Sequence, residues 1–316
     1  MSGKKLAFII NPISGTKNKS AILKQIEKRI PNYVSEYEVF YTQGPSHATD
    51  LAKAAVKSNT DIVIAIGGDG TVNETASGLL HSNTALGIIP MGSGNGLSRH
   101  LGIPTNVARA LNCLKNSEVF KMDVCTVNGS PFYNVAGIGY DAKVAHDFAK
   151  MDKRGFGSYF RSIVNLWFSY KPKTYRLKID GKELETKALM VSFANGSQFG
   201  NNVYIAPKAK LNDGLMDIAI LKKFPDVAIP LFAYQIFNKK LDQSKYSDMF
   251  TAKEVFVEQK GKRIHLDGEP FELGKSLHFK VLPGALNILA PKEFINERQS
   301  KYSIPGSSGF PFGKRQ

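Results

Sequence analysis

The chain has 316 residues, 42% of them hydrophobic and 22% charged, a balance that excludes fibrous and disordered classes and supplies core for two domains, since single cores stop growing beyond ~250 residues. Two cysteines, Cys113 and Cys125, exclude a disulfide framework and lack metal-ligand spacing, so buried reduced thiols are expected. A formal charge of +15, from 42 Lys and Arg against 27 Asp and Glu, fits a nucleic acid, a phosphorylated ligand or an acidic membrane face, or no partner at all.

In chain order, β-branched runs at residues 6–10, 38–41, 61–66 and 85–89 predict strands separated by amphipathic helical patterns. Ser20, Ser46 and Thr71 stand as caps before helices predicted over 21–30, 47–57 and 72–80. This alternation predicts an α/β domain with a parallel sheet, whose ligands bind outside the carboxyl ends of the strands. Beyond about residue 120, strand-like runs at 124–127, 175–179 and 188–193 precede Asn128-Gly129, Asp180-Gly181 and Asn195-Gly196. Further strands are expected at 216–221, 254–258, 263–266, 277–281 and 286–289, with helices near 141–150, 156–170 and 226–238. That half reads as a β-rich, mainly antiparallel domain. Residues 299–316, rich in Gly, Ser and Pro, read as a disordered tail. No apolar run reaches the ~18 residues of a membrane-spanning helix, and run 6–10 is too short for a signal peptide, so a cytoplasmic location is expected.

Three glycine loops carry the first chemical signal. After run 61–66 comes Gly67-Gly68-Asp69-Gly70-Thr71, with Asn73 and Glu74 at a helix start. Glycines let backbone N–H groups approach an oxyanion, and the helix N-terminus adds positive potential. A carboxylate there would repel a bare phosphate, so Asp69 suits a magnesium-bound one; the bland alternative is a tight strand-to-helix turn. Asn11-Pro12-Ile13-Ser14-Gly15 comes before it as the first loop of the chain and Pro90-Met91-Gly92-Ser93-Gly94-Asn95-Gly96 after it as the third, and the three end three successive strands. Each is weak evidence alone, and together they point to one shared site. A Walker-type P-loop is absent, because Glu269 stands where Gly274-Lys275-Ser276 would need its first glycine. In the second half, Asp123, Asp213, Asp217, Asp267 and Glu269 lie at or near turns, where carboxylates can bind a metal or act as a base; each alone is more often a plain hairpin turn.

With these residues in order, the chain resembles the diacylglycerol kinase catalytic-domain family, which includes bacterial diacylglycerol kinases and sphingosine kinases. The match runs through Asn11-Pro12-x-Ser14-Gly15, Thr42, the loop from Gly67 to Thr71 with Asn73 and Glu74, Gly92-Ser93-Gly94-Asn95, Asp123, Asn134-x-Ala136-Gly137, Pro207-x-Ala209, Asn212-Asp213-Gly214 with Asp217, and Asp267-Gly268-Glu269. Gly-Gly-Asp-Gly-Thr alone is shared with NAD kinases. The resemblance implies a three-layer nucleotide-binding domain of the NAD kinase/diacylglycerol kinase type over 1–120, to which 286–298 return. It also implies a β-sandwich-like domain over 121–285, with ATP in the cleft between the two. It implies nucleotide contacts from Asn11, Ser14, Gly15, Thr42 and Ser93, with Gly67, Gly68, Asp69, Gly70, Thr71 and Asn73 around the phosphates. Mg2+ would be held by Asp213 and the carbonyls of Lys210 and Leu215, supported through water by Asp69 and Asp123. Glu269 would be the general base, and Asp69 its rival, by likeness to the sphingosine-kinase branch. Where relatives often carry Phe-Gly-Gly-Gly, this chain has Phe199-Gly200-Asn201-Asn202, and Ser93-Gly94-Asn95-Gly96 is closer to the sphingosine-kinase form.

The expected activity is transfer of a phosphoryl group to a lipid hydroxyl, diacylglycerol first and a sphingoid base or other lipid alcohol next. Rival readings are an NAD kinase-like soluble kinase and a non-catalytic basic binder of membrane or nucleic acid. Clustered acidic turns oppose a polyanion, so no nucleic acid is expected. The partner expected is a lipid substrate at an acidic membrane surface, with the oligomeric state open between a single chain and a homodimer. Phe156, Tyr159, Phe160, Ile163, Leu166, Trp167 and Tyr170 share a helical stripe near Arg154, Arg161, Lys171 and Lys173; Ile229-Pro230-Leu231-Phe232 precedes Lys239 and Lys240. Both are candidates for peripheral membrane contact, with core packing the favoured alternative.

Overall fold

The computed structural model describes residues 3–14, 19–30, 34–150, 163 and 166–300. The described residues divide into two compact units, one comprising those up to Met122 and from Gly284 onward, the other Asp123–Pro283.

The first unit runs β1 (Lys4–Ile10), α1 (Lys19–Arg29), β2 (Val34–Tyr41), α2 (His47–Lys57), β3 (Ile62–Gly67), α3 (Asp69–Leu79), β4 (Ala85–Pro90), α4 (Gly96–His100) and α5 (Val107–Lys115). The strands are parallel in the order β2-β1-β3-β4. Every residue of β3 and β4 is buried, as expected of parallel strands covered on both faces, whereas edge strand β2 is half exposed. The crossover from β1 to β2 moves one way along the sheet and those to β3 and β4 move back. Right-handed connections then put α1 on one face and α2 with α3 on the other, with a topological switch between β1 and β3. The three glycine loops follow β1, β3 and β4, which are neighbours in the sheet although β2 intervenes in the chain.

Strand β5 (Ser117–Val127) leads into the second unit, which continues with β6 (Ser130–Phe132), β7 (Val135–Gly139), α6 (Tyr140–Phe148), β8 (Lys173–Ile179), β9 (Lys182–Ala188), β10 (Met190–Ala194) and β11 (Met216–Leu221). A helix at Ile229–Phe237 precedes β12 (Ser247–Ala252), β13 (Glu254–Glu258), β14 (Arg263–Leu266), β15 (Glu269–Glu272) and β16 (Ser276–Pro291). One sheet has the order β12-β11-β10-β7-β14-β15. The other contains β9, β8, β13 and the start of β16, and pairing within this unit is antiparallel. Tyr175, Leu177, Val255, Val257 and Phe279 from one sheet meet Ala136, Phe193, Ile218 and Ile264 from the other in a shared core, where Phe193 stacks on Phe279 at 3.7 Å. Strand β8 alternates because one face is solvated; β10 and β11 are buried on both, their second face packing against Tyr140, Val144, Ile205 and Phe224.

Several local expectations are corrected. Thr71 is not a cap: α3 begins at Asp69 with Gly68 as N-cap, and Thr71 is buried in its first turn. Ser46 holds the cap position of α2 at φ 64 without a side-chain bond; Glu74 of α3 caps instead, accepting from Ser46 N–H (2.9 Å) and Ala48 N–H (3.2 Å). Ser20 lies inside α1. The runs at 277–281 and 286–289 are one strand, β16, and 188–193 is interrupted at Leu189, whose N–H donates to Leu221. Cys125 is buried, but Cys113 only partly. Most of 156–170, the tail beyond 300 and Gly15 lie outside the described residues.

Candidate active site

Backbone and side-chain bonds join the three loops of the first unit. Asn11 N–H donates to Ile66 O, its Nδ2 donates to Thr71 Oγ1 at 3.1 Å, and its Oδ1 accepts from Ile13 N–H, so one side chain shapes the first loop and ties it to the second. Ser14 Oγ donates back to Asn11 O. Met91 N–H donates to Gly67 O, which ties the second loop to the third. Asp69 completes the link, its two carboxylate oxygens accepting from Asn95 N–H and Gly96 N–H, both at 2.9 Å. Burial pushes the Asp69 carboxyl above its ordinary value, against the pull of these N–H groups.

Glycine is required here by close approach. A Cβ at Gly92 would stand 2.8 Å from Gly68 Cα and 3.0 Å from Asn95 Oδ1, and one at Gly67 would meet Thr71 Oγ1 at 2.4 Å. The Gly67-Gly68 and Gly92 backbones therefore touch with no side chain between them. Asn95 holds the third loop, adopting φ 51 while its Oδ1 accepts from Gly92 N–H and its Nδ2 donates to Gly92 O. Thr42 is buried at the end of β2, its N–H bonded to Ile10 O. Gly70 and Asn73 lie in the first turns of α3, and Ser93 is exposed at the tip of its loop. Asn11, Ser14, Thr42, Gly67, Gly68, Asp69, Gly70, Thr71, Asn73 and Ser93 thus share the carboxyl edge of one sheet, beside its switch point.

The acidic residues of the second unit gather at two turns and the strands beside them. Buried Asp123 accepts from Gly214 N–H through Oδ2 at 2.7 Å, and its N–H donates to Leu211 O, which fastens β5 to the turn carrying Lys210, Asp213 and Leu215. Asp213 Oδ1 accepts from Leu215 N–H at 3.2 Å, and Gly214 takes φ 69. Asp213 and Gly214 line a cavity of about 440 Å³ with Lys253, Glu254, Lys280 and Val281. Among the described residues no group of three or more His, Cys, Asp and Glu side chains is placed to hold a metal. The set implied by resemblance instead combines one carboxylate with two backbone carbonyls; all are hard oxygens on one short turn, which fits a hydrated divalent cation.

Asp267 is a clamp. Its carboxylate accepts N–H bonds from Tyr133, Asn134 and Val135 at 2.8–2.9 Å, so the turn between β14 and β15 is pinned to the start of β7. That turn presents Glu269 at the exposed first position of β15. Asp217 is buried in β11. Sequence reasoning missed the buried group beneath: Asp141 Oδ2 accepts from Ser192 Oγ at 3.0 Å and lies 3.3 Å from His265 Nε2, while Gly268 N–H donates to His265 Nδ1. The three side chains are far apart in sequence, and the only hint was Gly137, where a Cβ would stand 1.9 Å from Asp141 Oδ2. Asn201 and Asn202 take φ 49 and 61, a region asparagine tolerates.

Residues 5–127 match the family model described as diacylglycerol kinase catalytic domain, and residues 134–290 the one described as YegS C-terminal NAD kinase beta sandwich-like domain. The chain is 32% identical to "Diacylglycerol kinase" of Bacillus subtilis (strain 168) over 70% of its own length and 74% of the relative's. It is 30% identical to "Probable lipid kinase YegS-like" of Chromohalobacter salexigens over 77% and 80%. A crystal structure of a diacylglycerol kinase from Bacillus anthracis str. Sterne superposes with a TM-score of 0.74 at 25% identity, covering 91% of this chain and 97% of that one. Two family models in succession and a relative matched over most of its length lead to one assignment: the chain belongs to the diacylglycerol kinase family of lipid kinases.

Proposed function

We propose that the protein transfers the γ-phosphoryl group of ATP, with Mg2+, to the hydroxyl of a lipid, diacylglycerol being the preferred acceptor. The observation that carries this is the glycine-lined cradle at the switch point of the first unit: three loops bonded to one another, glycines held backbone to backbone, and the N-terminus of α3 at their centre. Backbone N–H groups from Gly67 to Thr71 take the phosphates; Asn11, Ser14, Thr42, Asn73 and Ser93 position the nucleotide around them. Asp213 and the carbonyls of Lys210 and Leu215 hold the magnesium ion, and Asp123 fixes their turn. When bound, the ion neutralises charge on the transferring phosphoryl group. Glu269 takes the proton of the acceptor hydroxyl as that oxygen bonds to the γ-phosphorus and the bridge to ADP breaks.

Two observations favour Glu269 over Asp69 as the base: Glu269 is exposed on β15, whereas both oxygens of Asp69 accept backbone N–H bonds. Glu269→Gln should leave ATP binding unchanged and lower kcat by ~10² to 10⁴; substantial surviving turnover would return the role to Asp69. Asp213→Ala should raise the magnesium concentration needed for half-maximal rate. Radiolabelled ATP offered with diacylglycerol micelles, sphingosine or NAD tests the reading itself. Labelled phosphatidic acid is the expected product, and label appearing in NAD alone would sink it.

A further inference from the structure

The helix Ile229–Phe237 carries no charged residue and buries none of its nine residues fully. Phe232 and Ile236 turn inward against the core around Phe224 and Leu241. Val227, Leu231, Tyr234 and Phe237, spaced i, i+4, i+7 and i+10, form the opposite stripe and are 88%, 54%, 51% and 52% exposed. Pro230 is exposed on the same side. So coherent an apolar stripe on a surface is uncommon and marks an interaction site. It also divides the sequence expectation for this segment, since core packing accounts for only one face.

The surroundings say what covers the other face. Residues 222–245 hold five lysines, Lys222, Lys223, Lys239, Lys240 and Lys245, against Asp226 and Asp242. Both aspartates are engaged: Asp226 accepts from Trp167 Nε1 at 2.8 Å, and Asp242 pairs with Lys208 at 2.9 Å. Lys223, Lys239, Lys240 and Lys245 are exposed and lie over the rings of Trp167, Tyr204, Tyr234 and Tyr246 at 3.9–5.3 Å. Lys240 Nζ also donates to Tyr234 Oη at 3.2 Å. Cations at both ends of an uncharged apolar stripe, with amphipathic aromatic rings between, match the layers of an anionic bilayer, whose phosphates lie outside its acyl chains.

We infer that the Val227–Leu231–Tyr234–Phe237 face inserts into the headgroup boundary of an anionic membrane, with Lys223, Lys239, Lys240 and Lys245 on lipid phosphates. The inference does not depend on the kinase reading, because it concerns binding without nucleotide or turnover.

Sedimentation of the full chain with phosphatidylglycerol-containing vesicles, and with phosphatidylcholine vesicles alone, tests it in the absence of ATP. Wild type should sediment with the anionic vesicles and lose binding at high salt. Leu231→Glu with Phe237→Glu should weaken partitioning by at least about tenfold, given the transfer cost of two such side chains. Lys239→Glu with Lys240→Glu should remove the preference for anionic vesicles. Unchanged melting temperature shows that each variant folds. Wild-type sedimentation by a folded Leu231→Glu, Phe237→Glu variant would overturn the inference. So would a stable wild-type dimer, without vesicles, that this variant dissociates, since a second copy would then cover the face. Absence of phosphorylation of every lipid, with vesicle binding intact, would reject the kinase reading and leave this one standing.

Discussion

Asp69 shows how one side chain can be read correctly for place and incompletely for purpose. Its position in a glycine loop at a strand end was legible, and its partners were not, because Asn95 and Gly96 lie more than twenty residues away on the next strand's loop. A carboxylate buried against two N–H donors also has a pH signature. Its folded pKa lies above the ordinary value, so the stability it contributes is fully present below about 3.8 and is lost as pH rises through the raised value. The stability of wild type minus that of Asp69→Asn should therefore increase as urea unfolding is moved from pH 7 towards pH 4; a difference that shrinks would contradict the buried carboxylate. His265, Asp141 and Ser192 mark the opposite case, a buried group that no motif announced, since side chains on three separate elements meet only after the sheet has formed.

At the scale of elements, strands with one solvated face or with both faces covered were legible from periodicity: β8, β11, β13 and β14 lie where alternation or apolar runs placed them. Short strands such as β6 and β15 and the five-residue α4 were not, because so few residues carry no period and tertiary bonds fix them. The loops offer a direct contrast. Gly92→Ala would drive a methyl into Gly68 Cα, parting the two glycine loops, and should cost ~1–3 kcal/mol of stability and weaken ATP binding by about tenfold or more. Gly44→Ala, with nothing within 4 Å of its added methyl, should change neither. Asp267→Ala, which removes the acceptor of three N–H groups, should destabilise by ~3 kcal/mol and lower kcat through the misplaced β14–β15 turn, measured by urea unfolding beside the kinase assay.

For the whole molecule, nucleotide binding gives the simplest global readout. Mg-ATP at ~100 times its Kd should stabilise the protein by ~2.7 kcal/mol, a rise in melting temperature that chelation of magnesium reverses. Strand β16 bears on how that molecule comes to exist. Its start, residues 276–280, pairs with β13, and its end belongs with the strands of the first unit: Ile288 pairs with Leu86, His81 N–H donates to Ala285 O, and Asn287 Nδ2 to Ser82 O. The sheet of the first unit thus waits for residues 285–288 to leave the ribosome, long after β4 has done so. Until then the edge of that sheet beside β4 stands open to chaperones or to wrong pairing.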